Sequence, residues 1–178
     1  MKKLLLATLF ATAMVAQAAD FVSVDVDYVK DRDTGQISTA EYIRVGKEID
    51  GIQLGLQGRT SFYHDDSGML SSIEATVGKN MNGLTPYVGV GYDNGFNGKT
   101  QRTYGVVGAN YGLVAGPGFV LTGVKTRVLW DTNVKEQSVL FATYMLPGAK
   151  NVSVNLNISR TYQEIAEDAY GLGLTFKF

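Results

Sequence analysis

The chain has 178 residues, 45% of them hydrophobic, with 16 Lys and Arg against 17 Asp and Glu, 21 Gly, 3 Pro and no Cys. That is one domain's length of ordered chain, too balanced in charge for a disordered tail or a strongly basic nucleic-acid binder, and the missing Cys excludes disulfides, thiolate metal sites and cysteine nucleophiles. Mean hydropathy is close to zero, which does not argue against a membrane protein, because a membrane-crossing strand is polar at every second residue.

The first nineteen residues read as a secretory signal peptide. Lys2 and Lys3 give a positive start, Leu4 to Val15 an apolar run, and Ala16 to Ala19 a small-residue cleavage site. The run is too short to span a bilayer, and no later stretch is long and apolar enough for a transmembrane helix. The absence of Cys after it also excludes a lipoprotein anchor. Residues 20–178 are then the exported domain, slightly acidic once Lys2 and Lys3 are gone, which again argues against a nucleic-acid partner.

In chain order the exported part has a period of two. Val22, Val24, Val26 and Tyr28 alternate with Ser23, Asp25 and Asp27; Ile52, Leu54 and Leu56 alternate with Gln53, Gly55 and Gln57; Val152, Val154, Leu156 and Ile158 alternate with Ser153, Asn155, Asn157 and Ser159. Such alternation builds strands with one apolar and one polar face. It predicts ten strands near 20–30, 39–48, 51–62, 71–80, 84–93, 102–113, 119–130, 137–146, 151–161 and 168–178. Longer polar loops, such as Asp31 to Ser38 and Tyr63 to Leu70, follow the odd strands. Tight turns, such as Met81-Asn82-Gly83, follow the even ones. The expected fold is therefore an all-β, antiparallel, up-and-down transmembrane barrel of ten strands, with eight as the alternative.

The last segment carries the most specific pattern. Tyr170, Leu172, Leu174, Phe176 and Phe178 alternate with Gly171, Gly173, Thr175 and Lys177. In this the chain resembles the bacterial outer-membrane β-barrel superfamily, whose final strand ends on an aromatic residue with hydrophobics at alternate positions before it. Pro86 to Tyr92 is similar to a strand of the small OmpA- or OmpX-like barrels. The resemblance implies a Gram-negative outer membrane, delivery by periplasmic chaperones and recognition of that strand by the barrel-assembly machinery. It also implies contact with outer-membrane lipid and lipopolysaccharide.

Hydrocarbon offers no hydrogen bonds, so a sheet crosses a membrane only if it closes on itself. Its apolar face must look outward, since Lys or Arg on the lipid side near the midplane costs about 2–4 kcal/mol. This cost sends Asp25, Asp27, Arg44, Gln57, Arg59, Glu74, Lys125, Arg127, Asn155, Asn157 and Lys177 into the lumen, with Val120, Val124, Val128 and Trp130 outward. Strands six and eight are apolar on both parities and stay unoriented. Aromatics fall toward the strand ends, as interfacial girdles require. Tyr28, Phe62, Tyr92, Trp130, Tyr162 and Tyr170 lie toward the loops; Phe21, Tyr111, Phe119, Phe176 and Phe178 lie toward the turns.

Two readings of the inward charges stay open. They could form a constriction that selects small solutes in a narrow porin-like channel, or a salt-bridged plug inside a structural barrel. A surface interaction protein acting through its loops is the alternative function, weakened by loops of about eight residues. A soluble periplasmic barrel, with its apolar face inward, is the architectural rival. Enzymatic activity is not expected. His64, the one histidine, precedes Asp65, Asp66 and Ser67 in a loop, where consecutive side chains diverge. It also lacks the partner that ten-stranded outer-membrane proteases place two residues before their histidine, since Phe62 stands there. Gly98-Lys99-Thr100 lacks the first glycine of a phosphate loop, because residue 93 is Asp. Asp31, Asp33, Asp65 and Asp66 read as solvated loop charge rather than a cation site. No metal or other cofactor is expected.

Overall fold

The computed structural model describes residues 19–64, 69–94, 101–130, 137–148, 151–163 and 166–178. The expected signal peptide up to Ala18, Asp65 to Ser67, Gly98 to Thr100 and the segment 131–136 therefore lie outside the described residues. Ten strands follow in order: β1 (Phe21–Asp31), β2 (Ile37–Ile49), β3 (Ile52–Tyr63), β4 (Met69–Lys79), β5 (Leu84–Asp93), β6 (Arg102–Ala115), β7 (Gly118–Leu129), β8 (Gln137–Pro147), β9 (Val152–Gln163) and β10 (Glu167–Lys177). Each pairs antiparallel with its chain neighbours, and β1 pairs with β10 from Phe21 opposite Lys177 to Asp31 opposite Glu167. The sheet is a closed barrel without an edge, as the backbone needs where no water can satisfy it.

Several strands run farther toward the loop end than their alternation suggested. The β2 strand starts at Ile37 and β4 at Met69, and the His64 amide donates to the Ile37 carbonyl at 3.0 Å. At the other end the turns are tight. Asp50-Gly51 and Asn82-Gly83 both take positive φ at both positions (51° and 77°; 55° and 90°), the backbone of the two-residue turn that matches strand twist.

The barrel is inside-out relative to a water-soluble protein. Val24, Val26, Leu54, Leu56, Val88, Val90, Leu172 and Leu174 are exposed on the outer wall, whereas Asp25, Asp27, Glu74 and Asn155 are buried in the lumen. An apolar outer belt around a polar interior is what a hydrocarbon solvent selects, so the soluble-barrel rival does not fit this distribution.

The two unoriented strands now have faces. In β6, Val106 turns into the lumen and Val107 to the outside; in β8, Leu140 is exposed while the Phe141 ring points at Gly123 of the inner wall. The girdles need one correction. Phe21 shares the inward parity of Ser23 and Asp25, and its ring lies over Gly46; the Phe119 ring lies over Gly112 in the same way. Both rings line the turn-side mouth of the lumen rather than the lipid belt. Position along the strand had suggested a girdle, but parity decides the face.

Candidate functional site: two ionic clusters in the lumen

The first cluster is built on β9, β10, β1, β2 and β3. Asp25 is paired with Arg44 of the next strand and accepts from Ser23 Oγ at 2.6 Å. Its other oxygen accepts from the side-chain amides of Asn155 and Asn157, each at 2.9 Å. Asn155 also donates to Thr175 Oγ1 at 3.0 Å, and Arg44 Nε donates to Gln57 at 3.0 Å. Asn155 and Asn157 reach β1 because the strand between them, β10, has glycine where its side chains would stand. A Cβ on Gly171 or Gly173 would overlap the Asp27 or Asp25 carboxylate.

The second cluster is built on β4 to β8. Glu74 accepts from Lys125 Nζ at 2.6 Å, from Arg127 Nε at 2.7 Å and from the Tyr104 hydroxyl at 3.0 Å. Arg127 also donates to Gln137 at 3.3 Å and lies 5.2 Å from the Tyr104 ring centre. Glycines again clear space, here for rings: a Cβ at Gly91 would strike the Tyr104 ring and one at Gly108 the Tyr87 ring.

Between the clusters stands Tyr42, with the guanidinium of Arg44 4.6 Å and that of Arg59 5.6 Å from its ring centre. Arg59 makes a 3.5 Å contact with Glu167. Above Asp27 on the loop side, Val29, Ala40 and Ala169 form a buried apolar contact with Tyr42 against it. These positions lie on the adjacent strands β10, β1 and β2, so the inner wall there is apolar and packed.

The inward set expected from sequence divides accordingly. Asp25, Arg44, Gln57, Asn155 and Asn157 come together, with Asp27 at 3.5 Å from Asn157, while Glu74, Lys125 and Arg127 form the other group. Arg59 joins Glu167. Lys177 is exposed at the end of β10 and belongs to neither cluster. Sequence reasoning missed Ser23, Tyr42, Tyr104, Gln137, Glu167 and Thr175. Tyr104 was hidden by the ambiguous parity of β6, but Gly171 and Gly173 on the inward side of β10 were a legible sign of something bulky opposite.

Other candidates come out differently. His64 Nε2 is 2.8 Å from Thr39 Oγ1. Asp31 accepts the backbone amides of Asp33 and Thr34 at 2.8 and 2.9 Å, so its carboxylate closes the first loop. Among the described residues there is no group of acidic or histidine side chains arranged to hold a metal ion.

No protein-family model matches the chain, and no curated protein does. Solved structures do. The translocator domain of the autotransporter NalP from Neisseria meningitidis is similar with a TM-score of 0.50 at 12% identity, over 97% of this chain and 95% of that one. Neisserial surface protein A is similar with a TM-score of 0.44 at 13% identity, over 89% and 96%. The N-terminal β-barrel domain of Pseudomonas aeruginosa OprF is similar with a TM-score of 0.36 at 18% identity, over 90% and 98%. These neighbours are bacterial outer-membrane β-barrels, and at such identities the likeness is one of fold.

Proposed function

We propose that this protein is an integral barrel of the bacterial outer membrane whose lumen is held shut, a structural barrel rather than an open pore. The observation that carries this reading is the neutralisation of Glu74 by Lys125, Arg127 and Tyr104 within the barrel. An open selectivity ring leaves its charges to the passing ion, whereas here the charged groups use one another. Buried ions are costly unless paired and hydrogen-bonded, so a conducting state has to break contacts that the closed state satisfies. The exposed apolar wall and the inward charges support the membrane location.

One observation favours the second reading, a narrow passive channel. The Arg44 side chain remains about one-third exposed (32%) inside the barrel, so water reaches the first cluster. Planar-bilayer recording separates the two. Wild-type protein is expected to show no steady single-channel current, and Glu74→Ala/Lys125→Ala/Arg127→Ala to show one. Steady wild-type conductance that changes its ion selectivity in Arg44→Gln would establish the channel instead.

A further inference from the structure

The geometry points to a binding site for a phosphate-bearing lipid headgroup on the outer wall of the barrel, at the loop-side ends of β9, β10 and β1, built by Lys30, Arg32 and Arg160 around Asp168. This rests on the membrane-barrel reading and adds a specific ligand to it.

The site lies outside the lumen. Arg160 and Asp168 face each other across β9 and β10, on the outward parity shared with Ile158 and Tyr170. Arg160 makes a two-pronged contact with Asp168, Nε to one oxygen at 2.7 Å and Nη2 to the other at 2.9 Å. Arg32, from the first loop, comes within 3.7 Å of the same carboxylate. It is held there by a bond to the Thr161 carbonyl at 2.8 Å and by the Tyr162 ring, 5.5 Å from its guanidinium carbon. Lys30 stands opposite Asp168 in the β1–β10 register. Of the acids nearby, Asp31 is engaged with the loop backbone and Glu167 with Arg59 in the lumen. Three cations thus stand around the Asp168 carboxylate, at a place where the wall turns from apolar to polar.

Directly below, toward the membrane interior, the outer wall has a shallow groove of about 370 Å³ that ends at Arg160 and Asp168 and is flanked by Leu140, Ala142, Ile158 and Tyr170. Ala142 and Thr122 are small outward residues between larger ones, which makes the dent. Tyr28 and Tyr170 pair beside it and mark the interfacial level. Cations at the headgroup level above an apolar groove match a lipid with an anionic head and acyl tails. Arginine forks suit phosphate oxygens in particular. The occupant proposed is a phosphorylated lipid of the lipid A class, whose phosphates meet the cations; a zwitterionic phospholipid would bring a cation of its own to the same place.

The test is titration of the full barrel in neutral detergent, read by native mass spectrometry, with phosphorylated lipid A, its dephosphorylated form and inorganic phosphate as probes. The phosphorylated lipid is expected to bind about tenfold or more tightly than the dephosphorylated one. Arg32→Gln/Arg160→Gln should erase that preference, and Lys30→Gln should weaken it in part. Inorganic phosphate at the lipid's concentration should not displace the lipid. Equal binding of the two lipids, an unchanged preference in the double variant, or displacement by inorganic phosphate would each overturn the site. Heat-modifiable gel migration of each variant reports the fold separately. If the wild type stays monomeric without detergent, the membrane-barrel reading itself fails, a result distinct from loss of lipid preference in an intact barrel.

Discussion

Lys125 of β7 donates to Glu74 of β4 at 2.6 Å over the two strands that separate them. The inner wall between them carries Gly91 and Gly108, where glycine makes room for the rings of Tyr104 and Tyr87, and the Tyr104 hydroxyl donates to the same carboxylate. In the first cluster the glycines lie under the carboxylates themselves, Gly171 under Asp27 and Gly173 under Asp25; in the second they lie under the rings.

Removing the acid from the second cluster leaves two buried cations without their counter-charge. Glu74→Gln is expected to destabilise the barrel by about 3–5 kcal/mol, read as a shift in the urea midpoint of folding into lipid vesicles. Replacing all three partners together, Glu74→Gln/Lys125→Met/Arg127→Met, should cost less than the single change, because no unpaired charge remains. A single-variant loss under about 0.5 kcal/mol, the scale of an ordinary surface substitution, would show that the pair contributes nothing.

The glycine floor of the first cluster can be tested by adding one methyl group. In Gly173→Ala the new Cβ meets the Asp25 carboxylate and the Val24 carbonyl, and overpacking of this kind costs about 1–3 kcal/mol. Gly58→Ala is the control, since open space surrounds that position; it should stay within about 0.5 kcal/mol of wild type. Equal effects in the two variants would remove the floor from the account.

The outer wall makes an opposite demand. Leu172 is 62% exposed at the middle of β10, and in water such a residue would tolerate arginine. Facing hydrocarbon, Leu172→Arg should cost about 2–4 kcal/mol in vesicle folding. A neutral result would say that the exposed belt does not meet lipid.

At the turn-side end, outside the strands, the Asp20 carboxyl lies below the ordinary aspartate range. The main cause is the Glu48 amide donated to it at 2.7 Å, followed by Lys47 Nζ at 3.3 Å. A folded-state value lowered in this way adds stability above the unfolded aspartate value of about 3.9, and that stability is lost as pH falls through the lower folded value. Asp20→Asn should therefore flatten the acid limb of the stability profile below about pH 4 and leave the shape at neutral pH unchanged. An identical acid limb in wild type and variant would contradict the assignment.

Alternation along the chain determined nearly all of the architecture. Side chains of consecutive strand residues point to opposite faces, so apolar and polar positions taken in turn fix both the strand and the direction of each face. Ten strands, their order, the outward belt and the inward charge from Asp25 to Arg127 were legible for that reason. Where alternation failed, in Val106-Val107 and Leu140-Phe141, no local rule could orient the strand, and for Phe21 and Phe119 place along the strand misled where parity did not.

Which charge meets which was a different matter. Pairing depends on the register between strands and on how far each wall stands from the next, quantities that exist only once the sheet is closed. The ring of ten set Asn155 against Asp25 across Gly173, divided the ionic residues into two groups, and left Lys177 at the rim. It also gathered Lys30, Arg32, Arg160 and Asp168, which come from opposite ends of the sequence. Closing the sheet beside β1 brings them together, because the first and last strands become neighbours.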